Sequence, residues 1–202
     1  MSDEILYVLL PDFASHEMVY LMEAVSSDET QLKSNPKYAN KVVAPTMEPV
    51  IAIGGFRVQP DYSFENMPDD YAALVLIGGY GWLTPAADKV APIVRKALDK
   101  GIIVGAICNG ASFMAKHGFL NGVKHTGNGL DQLKLWGGGT YTNSGSYIHQ
   151  QAVSDSGIVT ANGSGVLEFT KELLLLLEND TPERIEMYYQ FNKQGFCSLF
   201  PG

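Results

Sequence analysis

The stretch Gly101–Ala115, GIIVGAICNGASFMA, constrains the fold more than any other part of the chain. Gly101 closes a helix, and Ile102, Ile103, Val104, Ala106 and Ile107 then form an almost wholly apolar run. A run without polar alternation suits a strand buried on both faces of a parallel sheet. Cys108-Asn109-Gly110 follows at once and opens the helical pattern of Ala111 to Lys116, while Gly105, Gly110 and Ala111 let strand and helix pack closely around the turn. A residue at such a turn is strained and points outward, so Cys108 stands where Ser stands in a G-x-S-x-G nucleophile elbow. The N–H groups opening the next helix are then available to a thiolate or an oxyanion. The alternative is that Cys108 is a small buried hydrophobe at a strand end.

Around this centre the pattern alternates between strands and helices. Ile5–Leu10 reads as a first buried strand, followed by a turn and a helix over Glu17–Ser26 with Ser15 as its N-cap. Met18, Leu21, Met22 and Val25 form its core face, and Glu17 lies in its first turn, where the helix dipole favours an acid. Residues 26–40 read as a polar loop or frayed helix end, Lys41–Ala44 as a strand, and VIAI and FRVQP as a hairpin around Gly54-Gly55. Asp61–Asp70 reads as a connector. Ala72–Ile77 is another buried strand, and it ends in Gly78-Gly79-Tyr80-Gly81-Trp82, a turn that permits close backbone approach or simply links strand to helix.

A helix is expected over Asp88–Lys100, before the elbow. Beyond it come a C-cap at His117-Gly118, a short strand Val123–Thr126, a short helix Asp131–Leu135, and a Gly/Thr/Asn/Ser-rich loop over Trp136–Ser146 with the composition of a lid. A hairpin of Ala152–Asp155 and Ile158–Ala161, a helix over Val166–Asn179 and a last helix over Pro182–Asn192 complete the reading. The fold class is α/β, one domain over residues 1–202, with a mostly parallel central sheet.

Charge narrows the function. A net charge of −8 without a Lys/Arg-rich run argues against nucleic acid and anionic membrane as partners, leaving small molecules and proteins. No targeting segment or membrane span is expected, and two cysteines, Cys108 and Cys197, form neither a disulfide framework nor a zinc-ligand spacing. The expectation is a cytoplasmic protein without cofactor or metal.

In a parallel α/β sheet, the strand ends before Glu17, Gly78-Gly79 and Cys108-Asn109 all lie on the carboxyl edge, so a carboxyl, a thiol and two N–H groups can converge. At this point the chain resembles the ThiJ/PfpI family of the class I glutamine amidotransferase-like superfamily, which also holds the Parkinsonism-associated protein deglycase. The resemblance rests on DFASHE, LVLIGG, VGAICNGASFMAKHGFLNG and VSDSGIVTANGSGVLEF. It implies a flavodoxin-like three-layer sandwich, Cys108 as the reactive thiol, Glu17 facing it, and the N–H groups of Gly79 and Asn109 as an oxyanion-hole pair.

The chain also departs from the family. Members classed as proteases commonly carry His directly after the Cys, and here that residue is Asn109; the His-x-Glu pair of true glutaminases is missing. His125 and His149 are the remaining candidates for a base, each with the alternative of a satisfied or solvent-facing ring. His16 reads as a turn residue beside the site, and Tyr80, Trp82 and Trp136 as pocket walls or plain packing. Two functions follow: a cysteine-dependent enzyme on small carbonyl or amide compounds, glyoxalase-, deglycase- or amidohydrolase-like, or a redox-sensing stress-response protein that oxidises Cys108 with little turnover. A peptidase assignment receives less weight. The helix-start amides and a protonated Glu17 are expected to hold the Cys108 thiol below its ordinary pKa. Relatives usually associate, and Tyr188 and Tyr189 read as exposed, so a homodimer is expected.

Overall fold

The computed structural model describes residues 3–26 and 36–199, so most of the segment read as a loop or frayed helix end lies outside the described residues. The chain runs β1 (Glu4–Val8), α1 (Ser15–Ser26), β2 (Ala39–Ala44), β3 (Val50–Ile51), β4 (Arg57–Val58), β5 (Tyr62–Ser63), β6 (Ala73–Leu76) and α2 (Ala91–Asp99). It continues with β7 (Ile103–Ile107), α3 (Asn109–Lys116), α4 (Leu130–Gly137), β8 (Ala152–Asp155), β9 (Ile158–Ala161), α5 (Val166–Leu176), α6 (Pro182–Gln194) and α7 (Phe196–Leu199). Seven strands form one sheet in the order β5-β2-β1-β6-β7-β9-β8, parallel except for the antiparallel β8–β9 pair. β3 and β4 form a separate hairpin.

Period-2 alternation explains why the central strands look uniformly apolar. Ile5, Tyr7 and Leu9 join one core with Met18 and Leu21 of α1 and Phe169 and Leu173 of α5; Leu6, Val8 and Leu10 join another with Val94 of α2, Phe113 of α3 and Leu133 of α4. Helices thus cover both faces of the mostly parallel sheet that the pattern predicted, giving the three-layer flavodoxin-like sandwich that the family resemblance implied. β1 has β2 on one side and β6 on the other, so the chain reverses direction across the sheet there, and a crevice opens between the carboxyl ends of β1 and β6. The site lies at that edge.

Several expectations need correction. The strand read over Val123–Thr126 is a single bridge, His125 with Tyr147, because Asn143 Nδ2 takes the carbonyls of Leu120 and Val123. The connector after Asp61 contains β5, which Val43 and Ala44 recruit at the sheet edge. The expected lid is fastened to the body: α4 runs on to Gly137, Tyr141 is buried, and Asn121 bonds to Thr140 O and Thr142 N. α1 begins at Ser15 itself, α2 is preceded by a 3-10 turn over Pro85–Val90, and α5 stops at Leu176. Tyr188 packs against Tyr20, and Tyr189 donates to Glu168 at 3.0 Å, so neither is the open apolar surface the sequence indicated.

α3 lies hard against β6. A Cβ added at Gly110 would stand 2.6 Å from Leu76 O, a backbone atom that cannot swing away. Gly110→Ala is therefore expected to destabilise the fold by about 1–3 kcal/mol, read as a lowered urea midpoint with unchanged slope; an unaltered midpoint would show that the contact carries no strain.

Candidate active site

Cys108 follows β7 and precedes α3, with φ 57° and ψ −123°. A side chain adopts positive φ only when its surroundings insist, at a cost on the order of 1–3 kcal/mol. Here the insistence comes from both sides: Cys108 N donates to Ala161 O of β9 at 3.0 Å, and Cys108 O accepts from Ala111 N of α3 at 3.1 Å. The strand ladder and the helix start leave the residue one conformation, which presents a half-buried thiol at the carboxyl edge. This is the elbow predicted from the sequence.

Glu17 reaches the same place from α1. The residue is 1% exposed, and its Oε2 accepts from Gly78 N at 2.7 Å across the crevice between β1 and β6. Burial pushes its pKa up to about 7, against the opposing pull of the Gly78 N–H and of a hydrogen bond with the Cys108 thiol. Gly78 has no room for a side chain: a Cβ there would lie 2.5 Å from both Cys108 Cβ and Glu17 Oε2. Gly163, just after β9, closes the other side, where a Cβ would meet Cys108 Sγ at 3.1 Å and Glu17 Oε1 at 3.5 Å. Oε1 and the sulfur thus face one common space.

The thiol departs from expectation. Burial and the neighbouring Glu17 charge raise the Cys108 pKa, outweighing the Asn128 amide and the Asn109 N–H that pull it down. The sequence shows the helix-start amides but not the depth of the pocket, and desolvation decides the sign. The result is a carboxyl and a thiol both held toward their neutral forms; once the carboxyl ionises, at about pH 7, a single proton remains between the two.

Asn128 is a contact that the sequence reading missed. Its Nδ2 donates to Cys108 Sγ at 3.2 Å, and its Oδ1 accepts from Gly163 N at 2.9 Å, tying the thiol to the loop after β9. The signal was Gly127-Asn128-Gly129, an Asn held between glycines, with Gly129 at φ 137°. Asn128, Gly163 and Ser164 also form one wall of a groove of about 370 Å³ that Tyr147 and His149 share.

The other predicted residues separate. Asn109 places its backbone N–H on the sulfur, and its side-chain Nδ2 donates to Gly79 O at 2.8 Å. Gly79 has φ 139°, a conformation open to glycine, and no hydrogen bond among the described residues engages its N–H. His125 is fully buried and spent: Nε2 pairs with Tyr141 OH at 2.6 Å and Nδ1 with Val123 O at 2.8 Å, and burial lowers its pKa. His149 is exposed on the groove, 3.5 Å from Tyr147 OH, and no hydrogen bond among the described residues links either ring to Cys108. Trp82 is core, packed on Phe113 with Nε1 donating to Ile77 O, whereas Tyr80 and His16 are exposed. His117 caps α3 and pairs with Asp88 at 3.3 Å. Among the described residues no group of three or more acidic, His or Cys side chains could hold a metal ion, and no helix is long and apolar enough to cross a membrane.

The raised carboxyl has a thermodynamic signature. Glu17 prefers its proton in the fold, so its contribution to stability is complete below about pH 4.5 and is lost as pH rises through about 7. Wild type is expected to lose on the order of 3 kcal/mol more than Glu17→Gln between those limits. Urea unfolding of both proteins across that range checks this, and parallel pH profiles would show that Glu17 is ionised in the fold.

Comparison with known proteins agrees with this fold. Residues 3–176 match the DJ-1/PfpI family. The chain is 35% identical over 192 residues to the uncharacterized protease YdeA of Bacillus subtilis, covering 95% of this chain and 91% of that protein. Among solved structures, the DJ-1 superfamily protein Atu0886 from Agrobacterium tumefaciens aligns with a TM-score of 0.83 at 33% identity, over 96% of this chain and 99% of that one. The thiJ/pfpI family protein from Bacillus anthracis aligns with a TM-score of 0.89 at 27% identity, over 98% and 93%. With a thiol on a strained elbow, a buried carboxyl facing it, and this similarity over nearly its whole length, the chain belongs to the DJ-1/PfpI family.

Proposed function

We propose that the protein is a cysteine-dependent enzyme acting on small carbonyl compounds through Cys108, with Glu17 as its proton partner. The observation that supports this reading most directly is the shared space between Glu17 Oε1 and Cys108 Sγ, with the carboxyl raised to about 7. A base works best when its pKa lies near the working pH. As Sγ attacks a carbonyl carbon, the thiol proton passes to Glu17, the carbonyl electron pair moves onto oxygen, and the N–H groups of Asn109 and Gly79 receive the oxyanion. Glu17 then returns the proton to that oxygen, completing a hemithioacetal with no other acid or base.

The same inventory disfavours peptides. Expelling an amine needs an acid aimed at the leaving nitrogen, and the hydrogen-bond partners of the sulfur other than Glu17 are the Asn128 amide and the Asn109 N–H. His125 is withdrawn into the core, so an aldehyde, which has no leaving group, suits the site better than an amide. A redox role has one observation in its favour: the donors on the sulfur, Asn128 Nδ2 and Asn109 N–H, would also hold the oxygens that peroxide adds in forming a sulfinate.

Purified protein incubated with small 2-oxoaldehydes is expected to give enzyme-dependent product, abolished in Cys108→Ser and reduced about 10²–10⁴-fold in Glu17→Gln. Casein and short peptides should be cleaved weakly or not at all. Robust peptide cleavage with no aldehyde turnover would overturn the proposal, and clean conversion of Cys108 to sulfinate by peroxide without any turnover would favour the redox reading.

A further inference from the structure

The peptide groups flanking Gly79 are pinned from three directions. Gly78 O accepts from Ala14 N at 2.9 Å, Tyr80 N donates to Asp12 O at 3.0 Å, and Gly79 O accepts from Asn109 Nδ2 at 2.8 Å. In a trans peptide the N–H and C=O point in opposite directions, so the bond from Ala14 fixes the direction of the Gly79 N–H, and the other two bonds keep the next peptide from flipping. Space is equally tight, since a Cβ at Gly79 would stand 2.2 Å from Asp12 O.

One of these pins depends on which way round an amide sits. Asn109 can hold Gly79 O only with its NH₂ turned toward it; reversed, it would set oxygen against oxygen. The orientation is decided by Gln132 on α4, whose Nε2 donates to Asn109 Oδ1 at 2.9 Å and to Ser112 Oγ at 3.0 Å. With a donor on Oδ1, only the NH₂ of Asn109 remains to face Gly79. α4 itself has no freedom to drift: Leu133 is fully buried, and a Cβ at Gly137 would lie 3.1 Å from Ala115 O of α3 and 2.2 Å from Tyr141 Cβ.

We infer that Gln132 is a positioning residue for the oxyanion hole: by fixing the amide orientation of Asn109 it holds the Gly79 turn in the shape that receives a developing negative charge. The residue after the nucleophile then serves both halves of the hole, one through its own N–H and the other through its side chain. A His at that position would present a ring instead of an amide, so Asn109 and Gln132 act as a unit. The inference rests on the proposed reading, in which the Gly79 N–H is one of the two donors.

Two reagents separate this role from general disturbance of the thiol. p-Nitrophenyl acetate acylates Cys108 through a tetrahedral oxyanion: Sγ bonds the carbonyl carbon, Glu17 takes the thiol proton, and collapse expels p-nitrophenolate. Iodoacetamide alkylates the same sulfur by displacing iodide at a saturated carbon, with no oxyanion. Rates are measured in a Cys197→Ser background with the adduct mapped to Cys108, for Gln132→Glu, which offers Asn109 an acceptor in place of a donor, and for Gln132→Met, which offers neither. Acylation is expected to fall about tenfold or more, short of the 10²–10³ seen when a donor is removed outright, while alkylation and its pH profile stay as in the parent. If both rates fall together, or neither falls in both variants, Gln132 is only structural and the inference is overturned. If the parent is alkylated but never acylated at Cys108, the carbonyl chemistry fails and takes this inference with it.

Discussion

Cys108 holds a backbone conformation that its side chain resists, and much of the site is arranged to keep it there. The carbonyl of Ala161 takes its N–H, α3 takes its C=O, and Gly110 lets that helix press against Leu76. Two of the sheet's central strands and one helix must be in place before the thiol can point where it does. The strain on the elbow is therefore sustained by the burial of β7 between two cores, an exchange that functional sites commonly make. It also explains the glycines that border the site: Gly78, Gly79 and Gly163 stand where a Cβ would strike the thiol, the carboxyl or the Asp12 backbone.

From that geometry follows an electrostatic consequence. A carboxyl and a thiol brought together away from water cannot both ionise readily, since desolvation penalises each charge and each charge penalises the other. Glu17 rises to about 7 and Cys108 rises as well. The pair is better described as a proton-sharing unit than as a thiolate stabilised in advance. Asn128 and Asn109 N–H moderate the cost by donating to sulfur, and neither can carry a proton away. In this site the proton stays between Glu17 and the sulfur.

The architecture was legible because burial on both faces leaves a clear trace: Ile5–Leu10, Ala72–Ile77 and Ile102–Ile107 are apolar throughout, and each is followed by residues of the site. The elbow, Glu17 and the glycine turn came through for the same reason, as all three belong to the turns and helix starts that follow such strands. What did not come through depends on depth or on tertiary partners. Asn128 reaches the sulfur from a loop with no periodic signal, and Gln132 lies on a short helix where one polar residue looks like any other. β5 exists only because β2 offers an edge, and the Val123–Thr126 segment, with good strand composition, is diverted by Asn143 and the His125–Tyr141 pair. The direction of the thiol shift was misjudged because helix-start amides are visible in a sequence and desolvation is not.

The central claim is that Cys108 and Glu17 compete for one proton, and it is tested most directly by titrating the thiol itself. Thiolate absorbance is followed against pH in a Cys197→Ser background, with and without Glu17→Gln, each trace corrected by its Cys108→Ser counterpart. The account predicts a Cys108 midpoint above that of a free thiol when Glu17 is present, and a lower one when Gln removes the neighbouring charge. A midpoint below the free-thiol value in the parent, or one that does not move when Glu17 is replaced, would contradict it.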